Sequence, residues 1–182
     1  MLEKGIGLTE LLITLGIMAI LANLALPEMM SWIEKHQAKR DSLLIASLIA
    51  HAKENAITLK ARTAFCPLDV NQQCSNQWNE KVTLFTDYNN NKKLDSNEKI
   101  LAELPAIKSD FILRKFNNSS IGFNYQGFAG FNTGNFTYCL KRHVHFAAIY
   151  TISRSGRIRV KEGFAPLHLP QLSNGGDVEC AG

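Results

Sequence analysis

Residues 4–27 read KGIGLTELLITLGIMAILANLALP, and the fold turns on how this stretch is taken. Between Glu10 and Glu28 lie seventeen residues without a charge, Leu11 to Pro27. As a helix rising about 1.5 Å per residue the run is roughly 25 Å long, short of a hydrocarbon core of about 30 Å. Extension back to Ile6 and forward through Met29, Met30 and Trp32 covers that thickness, provided Glu10 is tolerated inside the bilayer. A cleaved secretory signal would carry basic residues, then no acid, then a small-x-small site. Here only Met1-Leu2-Glu3-Lys4-Gly5 precedes the run, an acid stands at position 10, and Pro27 leads into an amphipathic segment. The run is therefore read as a retained membrane helix, residues 6–30, and no second segment could cross a bilayer.

Working outward, Ser31 to about Arg62 contains no Gly or Pro, and Ile45, Leu48, Ile49, Ala52, Ala56 and Leu59 recur on one face of a helix. Lys35, Lys39, Arg40, Lys53 and Glu54 fill the other sides. Joined to the apolar run, residues 31–62 predict a helix of about 55 residues, on the order of 80 Å long. Core packing accounts for the stripe without a cofactor. Beyond Arg62 the pattern becomes β-type, with runs at 82–86, 121–125, 136–140 and 148–152 between Gly/Asn turn clusters. The expected fold class is α+β, a long N-terminal helix packed on an antiparallel sheet. Hydrophobic residues at 46% and charged residues at 20% fit a folded domain, and ten Phe, four Tyr and two Trp exclude disorder throughout.

Lys4-Gly5 followed by Ile6-Gly7-Leu8-Thr9-Glu10-Leu11-Leu12 resembles the type III signal of type IV pilins and pseudopilins. The resemblance implies that a prepilin peptidase cuts after Gly5, making residues 1–5 a leader, and that Ile6 becomes the methylated N-terminus. It makes Glu10 the fifth residue of the mature chain, where the family's glutamate faces the free amine of a neighbouring subunit during assembly. A carboxylate in hydrocarbon nearly always has such a partner; a plain signal-anchor with Glu10 at the headgroups is the other reading. Pro27 falls where the family commonly has a kinking proline, while Ile6 and Gly7 replace the usual Phe and Thr. The implied location is the bacterial inner membrane, single-pass, with the N-terminus in the cytoplasm and the globular domain in the periplasm. After assembly it is the pilus or cell surface. The implied partners are the membrane, the peptidase and other pilin subunits.

With the globular part extracytoplasmic, Cys66, Cys74, Cys139 and Cys180 are expected to form disulfides. Three connectivities are open. In one, Cys66–Cys74 closes a short loop beside Pro67 and Cys139–Cys180 ties the tail to the sheet. Cys66 and Cys74 lack CxxC spacing, which argues against zinc. Cys66-Pro67, Cys74, Trp78, Phe85-x-Asp87 before an Asn-rich turn, Ile121-Gly122-Phe123-Asn124, Gly127-Phe128, Cys139, Gly156-Arg157 and Cys180 together resemble the FimT/GspH group of minor pseudopilins. The likeness spans nearly the whole chain and implies a β-rich GspH/FimT-like domain over residues 63–182.

Net charge is +4, but residues 108–161 hold nine Lys/Arg against the single acid Asp110. Segregated positive charge is the footprint of a polyanion partner. Its densest part is Arg154-Ser155-Gly156-Arg157-Ile158-Arg159-Val160-Lys161. A two-residue Ser155-Gly156 turn would set Arg154 opposite Arg157 and Ile152 opposite Arg159. Alternation would then put Arg154, Arg157, Arg159 and Lys161 on one face. Same-face residues are about 6.6 Å apart, similar to two steps of about 3.4 Å along a DNA strand, so such a ridge meets phosphates without reading bases. Gly156-Arg157-Ile158-Arg159 resembles the GRxR motif of DNA-binding FimT-type pseudopilins of natural transformation. That resemblance implies a DNA-binding site of Gly156, Arg157 and Arg159 with the two arginines as the likeliest contacts, and charge alone adds Lys141, Arg142, Arg154 and Lys161. A solvated hairpin tip is the bland reading. The corresponding alternative function is a structural minor pilin, or type II secretion pseudopilin, that primes fibre assembly without DNA.

Asp87-x-Asn89-x-Asn91-x-x-x-Asp95-x-x-Glu98 reproduces five ligand positions of an EF-hand loop, but Lys92 stands where the sharp turn needs Gly. An Asn/Asp-rich turn between strands explains it without metal. His143 and His145 share a face at strand spacing and lack a third ligand. With no GxSxG, P-loop or lone reactive Cys, neither an enzyme nor a cofactor is expected.

Overall fold

One helix, α1 (Leu8–Thr58), carries the chain for 51 residues before any strand forms. The structure, a computed structural model, describes residues 7–142 and 144–165 with Pro170 and Cys180, and at Asn23, Leu24, Ala25 and Pro27 the backbone alone. Gly5, Ile6 and His143 lie outside the described residues. Gly7 caps α1 in extended conformation, and Glu10 places a carboxylate in the first turn, where the helix dipole favours it. Among the side chains described in the first half of the helix, Leu12, Ile13, Ile17, Ile20 and Leu26 are each more than half exposed. Among the described residues no helix is long and apolar enough to cross a membrane. Ile6 and the side chains at 23–25 and 27, which complete the apolar run in the sequence, lie outside that description.

The second half of α1 is the floor of the domain. Ala38, Ser42, Ile45, Leu48, Ile49, Ala52 and Ala56 are buried, the expected stripe extended toward the N-terminus. Leu59, expected to end that stripe, is 47% exposed. The helix stops at Thr58, short of Arg62, because the Ala61 N–H donates to Ala56 O and the Lys60 N–H to Ile57 O. Lys60 takes φ +49, so this is a Schellman closure with Lys where Gly is usual.

Among the described residues eight strands follow: β1 (Thr63–Pro67), β2 (Val82–Thr86), β3 (Ile100–Leu104), β4 (Ile112–Lys115), β5 (Ile121–Phe123), β6 (Gly134–Lys141), β7 (His145–Ile152) and β8 (Ile158–Phe164). They form two four-stranded antiparallel sheets, β3-β2-β1-β5 and β4-β6-β7-β8, where one sheet was expected. The aromatic cluster explains the division. Trp78 packs on Phe65 of the first sheet and edge-on to Phe136 of the second, with Phe116 beside it. Its Nε1–H donates to Asn118 O at 3.1 Å, so the indole joins the sheets with its polar atom satisfied. Disulfides Cys66–Cys74 and Cys139–Cys180 select one of the three open connectivities.

The second sheet docks on α1 through its inner face. The Tyr150 hydroxyl donates to Ser42 and Tyr138 to Asp41 Oδ2, while Glu162 accepts from Ser42 Oγ and pairs with Lys39. Burial pushes the Tyr150 hydroxyl up to about 12 and Tyr138 up further. A phenol whose folded pKa is raised stabilises fully below the unfolded value of about 10 and loses that contribution as pH climbs through the folded one. The unfolding free energy is therefore expected to fall between about pH 10 and 12. In Tyr138→Phe/Tyr150→Phe that alkaline loss should be largely flattened, at a cost near neutrality of about 1 kcal/mol per lost hydroxyl. Denaturant melts across pH check both.

Candidate nucleic-acid interface

The β7–β8 connection is built on one glycine. The Gly156 N–H donates to Ser153 O (2.9 Å), the Ser153 N–H to Arg157 O (3.0 Å), and Gly156 takes φ +71. The result is a three-residue loop, Arg154-Ser155-Gly156, whose last position is left-handed. Ser153 Oγ accepts the Arg157 N–H at 3.0 Å. Pairing then runs Ile152↔Ile158, Thr151↔Arg159, Tyr150↔Val160 and Ile149↔Lys161. The expected two-residue turn is thus corrected by one residue: Ile152 faces Ile158, not Arg159, and Arg154 sits in the loop rather than opposite Arg157. A glycine at positive φ serves either turn, which is why residue type alone misplaced the register.

Gly156 is buried, and a Cβ there would lie 1.8 Å from Gly127 O, a backbone atom. Lys53 Nζ of α1 donates to Gly156 O at 3.0 Å. Gly127, at φ +81, is itself pressed on Ile57 and Lys53. The hairpin tip, the β5–β6 loop and the end of α1 therefore meet where only glycines fit.

Arg157, Arg159 and Lys161 are exposed and alternate with Ile158 and Val160, so all three cations face away from α1. Among the described residues none of them, nor Arg154, has a carboxylate within ion-pair distance. Arg154 holds its guanidinium 5.9 Å from the centre of the Phe131 ring. The outer face of this sheet adds a cation that was counted in the basic region but not among the expected DNA contacts: Lys115 lies on the row Lys115–Thr137–Ile149–Lys161 across all four strands. Recognition of β4 as a strand would have found it.

Two expected members are not brought to this ridge. Lys141 and Arg142 lie at the opposite end of the eight-residue strand β7, roughly 25 Å from the hairpin tip at about 3.3 Å per residue. Arg142 is engaged there by Glu34 (3.6 Å) and by the Phe111 ring (5.2 Å). Arg114, counted in the basic region, is buried, and its Nη2 donates to Pro105 O at 2.7 Å. Burial lowers its guanidinium to about 10, still protonated at neutrality.

The Asp87–Glu98 turn satisfies itself. Asp87 accepts the Asn91 and Lys92 N–H groups, Asp95 accepts both the Asn89 and Asn91 amides, and Glu98 accepts the Tyr88 and Asp95 N–H groups. Burial raises the Asp87 carboxyl, and the two asparagine amides lower that of Asp95. Among the described residues no group of three or more His, Cys, Asp or Glu could hold a metal ion. His145 opens β7 opposite Lys141.

Gly156→Ala adds a methyl against Gly127 O and forces a left-handed alanine. It is expected to cost about 2–4 kcal/mol of stability, measured by denaturant unfolding against wild type.

No curated protein sequence matches the chain. Two crystal structures of the Pseudomonas aeruginosa type IV minor pilin FimU, in different space groups, resemble it at 13% identity. Their TM-scores are 0.47 and 0.40, over 70% and 68% of this chain and 90% and 91% of theirs. The family of the type II transport protein GspH matches residues 43–161, from the last third of α1 through every strand to Lys161 within β8. With well over half of its length matched, the chain belongs to the GspH family.

Proposed function

We propose that this chain is a minor type IV pilin that binds DNA without sequence preference, through the phosphate backbone, and supports DNA uptake in natural transformation. One observation carries the reading. Arg157, Arg159 and Lys161 form an outward row on an edge strand, with no acidic partner among the described residues, behind a tip locked by Gly156. Like charges two residues apart repel, and a line of phosphates relieves that repulsion. Arg154 at the tip and Lys115 on the same face extend the row; Lys141 and Arg142, at the far end of the sheet, are secondary contacts.

The rest of the chain supplies delivery. A prepilin peptidase removes residues 1–5, Ile6 is methylated, and the helix from Ile6 anchors the subunit in the inner membrane. Glu10 pairs with a neighbouring subunit, and the disulfide-bonded domain faces the periplasm and then the pilus surface.

Two measurements test this. Duplex DNA titrated onto the chain at several salt concentrations should bind with a log–log salt slope of about −3.5 to −4.5, as four or five phosphate contacts from this row require. Arg157→Gln/Arg159→Gln should weaken binding at low salt and make the slope shallower by about 2. Wild type that fails to bind at low salt would leave the purely structural subunit as the reading. Intact mass of the protein from a host with an active prepilin peptidase should equal Ile6–Gly182, with both disulfides formed, plus one methyl group. A chain starting at Met1 would reject the processing scheme.

A further inference from the structure

We infer that the loop beside the hairpin is a stacking platform for unpaired bases, so that the DNA held here is single-stranded; this deepens the reading above and rests on it. The platform is the β5–β6 connection, residues 124–133. Its backbone is fixed at both ends. Asn124 Oδ1 accepts the Gln126 and Phe128 N–H groups at 3.0 and 2.9 Å, and Phe128 O accepts the Asn124 N–H at 2.9 Å. The Ala129 and Gly130 N–H groups then donate to Arg154 O at 3.1 and 3.3 Å, clipping the loop to the hairpin tip.

What this fixed backbone displays is apolar. Phe131 is 91% exposed and Phe128 48%, with Tyr125 on the adjoining turn 56% exposed. A single exposed aromatic needs no explanation, but three within seven residues of a loop held this firmly do. The two phenylalanines also lie beside cations. Arg154 stands over the Phe131 ring, and Phe128 and Phe131 share a recess of about 410 Å³ with Arg62 and Lys92. The acid on that recess, Asp87, spends its carboxylate on the Asn91 and Lys92 N–H groups.

Aromatic faces next to a cationic track are the composition that holds single strands: phosphates follow the charges and bases stack on the rings. In a duplex each base face is already covered by its neighbours, so exposed rings gain nothing from intact double helix. Arg157, Arg159 and Lys161 supply the track, and Phe128 and Phe131 the ring faces, at the end where Arg154 joins the two.

The test compares a single-stranded oligonucleotide with a duplex of the same length, both fluorescently labelled, titrated onto the full chain at one salt concentration. Wild type should bind the single strand more tightly. Phe128→Ala/Phe131→Ala should weaken single-strand binding about tenfold or more and duplex binding less than twofold. Phe131→Tyr should retain the wild-type preference. Both rings are exposed, and an unchanged melting midpoint for Phe128→Ala/Phe131→Ala separates loss of binding from loss of fold. A tighter duplex complex in wild type, or equal losses on both ligands in the double variant, would overturn the stacking platform while leaving backbone binding in place. Wild type that binds neither ligand would remove the DNA reading itself, and the platform with it.

Discussion

No side chain fits between the Cα of Gly156 and the carbonyl oxygen of Gly127, and the cationic surface depends on that contact. Through it the β7–β8 tip rests on the β5–β6 loop, and both rest on Lys53 and Ile57 of α1. A tip free to swing would carry its arginines as long, mobile side chains, each paying rotamer entropy to meet a phosphate. Clamped to a helix, the tip delivers backbone positions that are already fixed, so less freedom is lost on binding. The glycine that opens Gly156-Arg157-Ile158-Arg159 thus acts sterically, by permitting an approach and a left-handed turn.

Legibility in the sequence followed the strength of local patterning. The stripe Ile45–Ala56 was readable because a helix buries one face at a period that the residues repeat. Strand β2 was readable as a β-branched and aromatic run, whereas β1, Thr-Ala-Phe-Cys-Pro, is buried at every position and shows no alternation to detect. The division into two sheets rests on Trp78 meeting Phe65 and Phe136, contacts between residues far apart in sequence that no local window contains. Cation counting along the chain succeeded within β8, where neighbours in sequence are neighbours on a face. It failed across the sheet: Lys141 and Arg142 fell at the far end, Arg114 turned inward, and its neighbour Lys115 turned out onto the row of Lys161.

Edge strands often carry Lys or Arg to discourage pairing with another chain, and β8 is the edge of its sheet. Such protection acts at the exposed backbone and is supplied by one or two charges. Here three lie in register on the outer face, a fourth caps the tip and a fifth stands across the sheet, with no carboxylate in ion-pair range among the described residues. Salt bridges on α1 and the first sheet show that this chain places acids beside cations elsewhere, as at Lys81–Glu103. Cations without an ion-pair partner also occur off this face among the described residues, as at Lys60, Lys99 and Lys108, so what sets the face apart is the grouping of five cations on and beside it.

The orientation of that face follows from how the second sheet is held. Glu162 lies within the same strand as the ridge, but alternation sends it inward to Lys39 and Ser42, while Tyr150 and Tyr138 lock the adjacent strands onto α1. One strand thus uses its inner residues to bind the helix and its outer residues to present charge. Any assembly that engages α1 along its exposed apolar half leaves the outer face of this sheet pointing away from the helix axis. A long polyanion approaching from outside would meet Arg157, Arg159 and Lys161 before it met the acids of the inner face. Separation of the two charge sets by the thickness of one sheet is what allows a protein with a modest net charge to offer a strongly positive edge.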